Sequence, residues 1–114
     1  MLKQQLIQLI EQKFPKASEI LRMTKVEQCY NTMSRDGKFC AMGAIYNFFG
    51  WDGITWDDPR ASFDYNLVVE QLGLAEYDRQ EFRKKDGSMN ITRMNDRHFM
   101  SFAEIADHLE KEGL

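Results

Sequence analysis

Long apolar runs are missing from this chain of 114 residues. No stretch approaches the ~20 apolar residues that a membrane span requires, which argues against a membrane partner. The opening segment, "MLKQQLIQLIEQKF", breaks its apolar positions with Lys, Gln and Glu. It therefore lacks the continuous apolar core of an export signal, and the expected location is cytoplasmic. Cysteine is scarce: Cys29 and Cys40 are the only two, too few for a disulfide scaffold and expected as free thiols in a reducing compartment. Histidine is equally sparse, with His98 and His108 alone. The sequence carries no zinc-ligand spacing, no phosphate-cradling glycine loop and no dinucleotide fingerprint, so neither a metal nor a cofactor is implied. Repeats, low-complexity tracts and Pro/Gly-rich linkers are also lacking, and residues 1–114 read as one domain.

What is present suits an ordinary globular protein. Hydrophobic residues make up 43% and charged residues 29% of the chain, outside the range of disordered segments. Folding at this length hides roughly two-thirds of the unfolded chain's surface, enough for a core without staples. Eight Phe, seven Met, four Tyr and two Trp supply the bulk for it.

The net charge of −3 disfavours a nucleic-acid partner. Its distribution is uneven. Residues 1–49 hold seven basic and four acidic side chains, 50–78 one and seven, 79–97 six and three, and 98–114 one and four. Such alternation fits either solvated faces or a charged docking surface for another protein. Arg79, Arg83, Lys84 and Lys85 form a basic run, diluted by Asp78, Glu81 and Asp86.

Apolar periodicity points to helices. Leu2, Leu6, Leu9, Ile10 and Phe14 recur near the helical period, and Pro15 ends that element. Ile20, Leu21 and Met23 form a short apolar patch. Residues 24–38 have two readings. Thr24 to Glu27 spells a capping box that would start a helix carrying Val26, Tyr30 and Met33, while Asp36-Gly37 suits a tight hairpin turn. A helix over about 40–49 follows, then the loop "WDGITWDDP". Asp58-Pro59 opens another helix with Phe63, Leu67, Val68 and Leu72 inward, closed by Gly73. The next helix turns Tyr77 and Phe82 inward. "SMNITRMNDRHF" reads as a short extended piece, and Ser101 to Glu104 caps a final helix with Phe102, Ile105, Ala106 and Leu109 as its stripe. The expected fold is mostly α: one compact domain of four to six helices around a central buried helix, with room for one small β-hairpin.

Within that central helix, Cys40, Gly43, Ala44 and Asn47 share one side, and the other positions are large and apolar. Cysteine is among the most buried residue types, and a mid-helix glycine costs about 1 kcal/mol against Ala unless close packing offsets it. Packing is therefore the preferred role for Cys40. The alternative is a thiol-dependent hydrolase. A thiol at a helix N-terminus gains from the dipole, and "NDRH" offers His98 as a base with Asn95 or Asp96 to orient it. Asn95-Asp96 also reads as a plain hydrogen-bonded turn. Trp51 and Trp56 flank an acidic loop with Asp57 and Asp58, where they would either anchor a partner protein or pin the loop to the core. Glu104 and His108 read as an exposed i,i+4 pair.

"EQCYNTMSRDGKFCAMGAI", the later "ITRMND" and the closing "SFAEIADHLEKEG" resemble a group of small bacterial and phage-encoded domains of unknown function. Cys29, Arg35, Asp36, Gly37, Cys40, Ala41, Gly43, Ala44, Asn95 and Asp96 match that pattern, whereas Gln28, Met42 and Met94 depart from it. The resemblance brings no activity. It implies that the Cys40 helix and the Asn95-Asp96 element belong to one arrangement, with the turn expected against the helix's small side. The functional expectation is a non-enzymatic interaction or regulatory domain acting on another protein, compatible with homo-oligomers, using Trp51, Trp56, Asp57 and Asp58.

Overall fold

The architecture follows from where the chain finds partners for its buried backbone. The computed structural model describes residues 15–54, 65–84 and 87–114. The amphipathic segment before Pro15, and Trp56 to Phe63 with the Asp58-Pro59 helix start, lie outside these. Six helices and a two-stranded sheet are described: α1 (Ala17–Met23), β1 (Ser34–Arg35), β2 (Lys38–Phe39), α2 (Ala41–Phe48), α3 (Tyr65–Gln71), α4 (Leu74–Phe82), α5 (Ile91–Asp96) and α6 (Phe102–Lys111). The fold is a mostly α domain with one small hairpin.

Helix α2 is the centre. Ala41 to Tyr46 are all buried, and Phe49 at its C-cap is 1% exposed. Helices α1 and α5 pack on it, and α6 packs on both α1 and α5. Helix α6 forms as its sequence directs. Ser101 Oγ accepts from Glu104 N–H and Glu104 Oε1 accepts from Ser101 N–H, each at 3.1 Å. Ile105, Ala106 and Leu109 are fully buried. Arg22 of α1 ties the pair of helices at the surface, donating to Asp107 at 2.7 Å and Glu110 at 2.6 Å.

In residues 24–38 the hairpin prevails over the helix. Asp36 and Gly37 both take positive φ, 52° and 78°, the combination that a two-residue turn needs to match strand twist. Ser34 pairs with Phe39 and Arg35 with Lys38. Residues 27–29 run along the other edge of β2, with Phe39 N–H donating to Glu27 O and Cys29 N–H to Phe39 O. Thr24 does not start a helix; it closes α1, its N–H donating to Ile20 O. Backbone pairing with β2 takes the place of helical bonds for this segment.

Two further expectations are corrected. Residues 91–96 are helical, not extended: Asn90 Oδ1 caps Arg93 N–H at 2.8 Å, and Ile91, Met94 and Asn95 make a buried i, i+3, i+4 stripe. Phe82 does not point inward but is 68% exposed. The buried stripe of α4 runs through Leu74, Tyr77 and Glu81, and Phe82 lies one step round from it. The carboxylate of Glu81 occupies the inner position because it accepts from Met89 N–H at 2.8 Å and pairs with Lys84. Burial pushes its pKa up, but Lys84 and the Met89 N–H outweigh that and hold it low.

Gly43 explains the small side of α2. A Cβ there would lie 2.2 Å from Met33 O and 3.3 Å from Phe39 Cδ1, so the hairpin backbone occupies the space. Helix propensity alone makes Gly43→Ala stabilising by about 1 kcal/mol, whereas a clash with fixed backbone reverses the sign. Gly43→Ala is predicted to lose at least about 2 kcal/mol of unfolding free energy, measured by denaturant titration. A gain in stability would show that the hairpin does not press on α2.

Candidate functional site

Cys40 is the N-cap of α2, with extended backbone and its Sγ accepting from Gly43 N–H at 3.3 Å. Met33 Sδ lies 3.5 Å away, and the residue is 2% exposed. Two effects compete here. The helix N-terminus favours the thiolate, and removal from water favours the thiol. Burial is the larger, and it pushes the Cys40 pKa up to about 11 despite the Gly43 N–H. Cys29 is also buried, and burial pushes its pKa up as well. His98 is exposed just after α5, its backbone N–H bonded to Arg93 O. The site described below is not lined by Cys40.

Asn95 lies at the start of α2, engaged in structural bonds. Its Oδ1 accepts from Ala41 N–H at 3.0 Å and from Gln28 Nε2 at 2.7 Å. Its Nδ2 donates to Cys29 O at 3.0 Å and to Asp96 Oδ1 at 2.6 Å. All four bonding positions of the amide are filled, and the two backbone partners fix which atom is oxygen and which nitrogen. The same Asp96 oxygen accepts from Asn31 N–H at 2.9 Å. Gln28 also donates to Met100 O at 2.8 Å. This element thus meets α2 at its first turn, beside Cys40. Asn95 caps the helix's first free N–H, and Gly43 on the small side meets Met33.

Trp51 is 2% exposed. Its ring meets Phe39 and Tyr46 edge-on at 5.9 and 6.2 Å between centroids, and Asn47 Nδ2 holds its carbonyl at 3.0 Å. It is part of the core, not a surface anchor. Trp56, Asp57 and Asp58 lie outside the described residues.

The surface feature with chemistry on display is elsewhere. A cleft of about 520 Å³ opens between α4 and α5. Asp78 and Phe82 line the α4 side, Thr92, Arg93, Asp96 and Arg97 the α5 side, and Asn31 and Asn90 complete it. Arg93 and Arg97 are exposed, and neither guanidinium has a hydrogen bond or ion pair among the described residues. By contrast Arg79 pairs with Glu76 at 2.9 Å. Burial, then the Glu81 carboxylate, raise the Asp78 pKa; an arginine in contact would lower it.

Two more rings flank this cleft in sequence. Tyr30 precedes Asn31, and Phe99 follows Arg97 by two residues; their centroids are 5.5 Å apart. Phe99 is 65% exposed with φ 50°, a left-handed conformation that costs a non-glycine residue about 1–3 kcal/mol. The sequence holds a signal for this face that its first reading passes over. Arg93 and Arg97 stand one helical turn apart, and the 74/77/81 spacing leaves Phe82 off the buried stripe. Among the described residues no three His, Cys, Asp or Glu side chains converge as metal ligands, and no helix is long and apolar enough to cross a membrane. No family model, curated protein or solved structure matches the chain.

At pH 8 a thiol with a pKa near 11 carries on the order of a hundredfold less thiolate than a free cysteine. A disulfide reagent is therefore predicted to label native Cys40 at least that much more slowly than the unfolded chain, read by mass spectrometry. Labelling at the unfolded rate would revive catalysis by Cys40. Asn95→Ala strands a buried N–H and a buried C=O, and is predicted to cost about 3 kcal/mol. Asn95→Asp costs more at pH 7, because the introduced carboxylate faces Cys29 O and Asp96. Its folded-state pKa is thereby raised, so the penalty relative to the parent appears above the unfolded pKa of about 4 and fades below it. Denaturant titrations of both chains across that range measure this, and a pH-independent difference contradicts the hydrogen-bond assignment.

Proposed function

We propose that this chain is a non-enzymatic, cytoplasmic protein-interaction domain that docks its partner across the α4–α5 cleft. The observation that carries this reading is a cleft lined by an exposed ring, Phe82, and by two arginines without an ion pair among the described residues, with the exposed Phe99 two residues beyond Arg97. Phe82 and Phe99 are two-thirds exposed, and Arg93 and Arg97 make no ion pair among the described residues. Aromatic and arginine side chains are the types that contribute most to protein interfaces. An exposed Phe held in a strained backbone supports the same reading, since glycine would fill that position without penalty. The two buried thiols and the fully bonded Asn95 weigh against the hydrolase alternative. Both cysteines are free, in keeping with a reducing compartment. We also read the chain as sharing its Cys40 and Asn95 arrangement with the small bacterial and phage-encoded domains that it resembles.

Affinity capture from the native extract tests the docking face. The parent chain is expected to retain a partner that Phe82→Ser/Phe99→Gly loses, with a surface control, Lys111→Ala, retaining it. The double variant should melt no lower than the parent, because Phe99→Gly relieves the left-handed backbone and Phe82 makes no buried contact. Retention of the same partner by the double variant, or no partner with the parent, would sink the reading.

A further inference from the structure

Two arginines without a hydrogen bond or ion pair among the described residues set a requirement on whatever covers them. Arg93 and Arg97 are separated by one turn of α5, so their side chains rise from the same stretch of the cleft wall. Neither cleft carboxyl is paired with them among the described residues. Asp96 Oδ1 accepts from Asn31 N–H and Asn95 Nδ2, and no ion pair joins Asp78 to a guanidinium among the described residues. An apolar partner would take two guanidiniums out of water without supplying acceptors, so the occupant must bring acceptors of its own. Phe82, across the cleft, needs an apolar contact within the same short span.

We propose that the cleft binds an acidic linear segment of a partner protein, with carboxylates on Arg93 and Arg97 and an apolar side chain on Phe82. The proposal rests on the docking reading above and specifies its ligand. Paired arginines accept carboxylates in planar, two-pronged geometry, and arginine clusters are a recurring means of reading acidic motifs. Residues 79–97, which supply both cleft arginines, hold six basic against three acidic side chains in a chain of net charge −3. Nucleic acid fits less well. A phosphate polymer needs an extended basic track, and the surface of α6 carries Glu104, Asp107, Glu110 and Glu112.

Fluorescence anisotropy with the full chain tests this. The probe is a labelled peptide of about eight residues that alternates paired Asp/Glu with single Phe or Leu. Saturable, salt-sensitive binding is expected, weakened at least about tenfold by Arg93→Glu/Arg97→Glu and by Asn/Gln in place of the peptide's acids. A neutral pair, Arg93→Gln/Arg97→Gln, should also weaken binding and melt like the parent, since neither guanidinium is bonded among the described residues. Equal binding of the neutral peptide, unchanged affinity of the double variant, tighter binding of labelled oligodeoxythymidylate, or no binding of the acidic peptide overturns the proposal. If capture by the Phe82/Phe99 face succeeds while the acidic peptide fails, the docking face stands and the acidic ligand falls.

Discussion

One side-chain amide holds this domain in register. Asn95 is fully buried, and each of its four hydrogen bonds ends on a different segment or neighbour: the start of α2, Gln28, Cys29 and Asp96. The Ala41 N–H is one of the unpaired donors that every helix start leaves, and the Cys29 carbonyl lies on a segment bridged to β2. Both would be stranded in the core without the amide. Helix α5 depends on the same bonds. Six residues are too few for a helix to persist alone in water, so the contacts of Ile91, Met94 and Asn95 hold the turn that its propensity cannot.

Cys40 shows how a local tendency yields to its surroundings. A helix start stabilises a thiolate, and the Gly43 N–H does act in that direction. Yet the sulfur sits under the hairpin, beside Met33, in a space shaped for a small side chain. Desolvation is the stronger effect, and the sulfur serves as a weak cap and as filler. Gly43 and Trp51 answer to the same constraint. The hairpin backbone crosses α2 at Gly43, and the Phe39 ring that follows meets Trp51. A bulkier residue at Gly43 would push Met33 away and open the core.

These relations explain what can be read in the sequence. The central helix, the capping box of α6 and the Asp36-Gly37 turn are local, written in spacing and in residues suited to particular dihedrals. The choice between helix and hairpin at 24–38 is not local, because it is decided by pairing with β2. Helix α5 is missed for a similar reason: its cap at Asn90 is visible, but its stabilising partners lie more than fifty residues away. Phe82 misleads because hydrophobicity alone assigns it inward. The inner place goes to Glu81, whose carboxylate is held there by Met89 N–H, eight residues on, a bond that helical spacing does not announce. At Trp51 the pinning alternative holds and the anchoring one falls. A ring named as a contact is needed to close the core.

The placement of the exposed groups follows from the buried ones. Helix α5 presents Met94 and Asn95 to the core and Arg93 and Arg97 to solvent, so the amide that fixes the helix also fixes the cations. Asp96 extends this outward, anchoring Asn31 and with it the Tyr30 ring against Phe99. Phe99 is held at positive φ between the His98 N–H bond to Arg93 O and the Met100 N–H bond to Met94 O. Cleft wall and rings are thus tied to the core by these bonds, and under the docking proposal such ties would lower the entropy cost of binding. A face meant only for solvation needs charge, and flexible lysines supply it. Aromatic rings and arginines tied to a buried amide are what the proposed docking face asks of this surface.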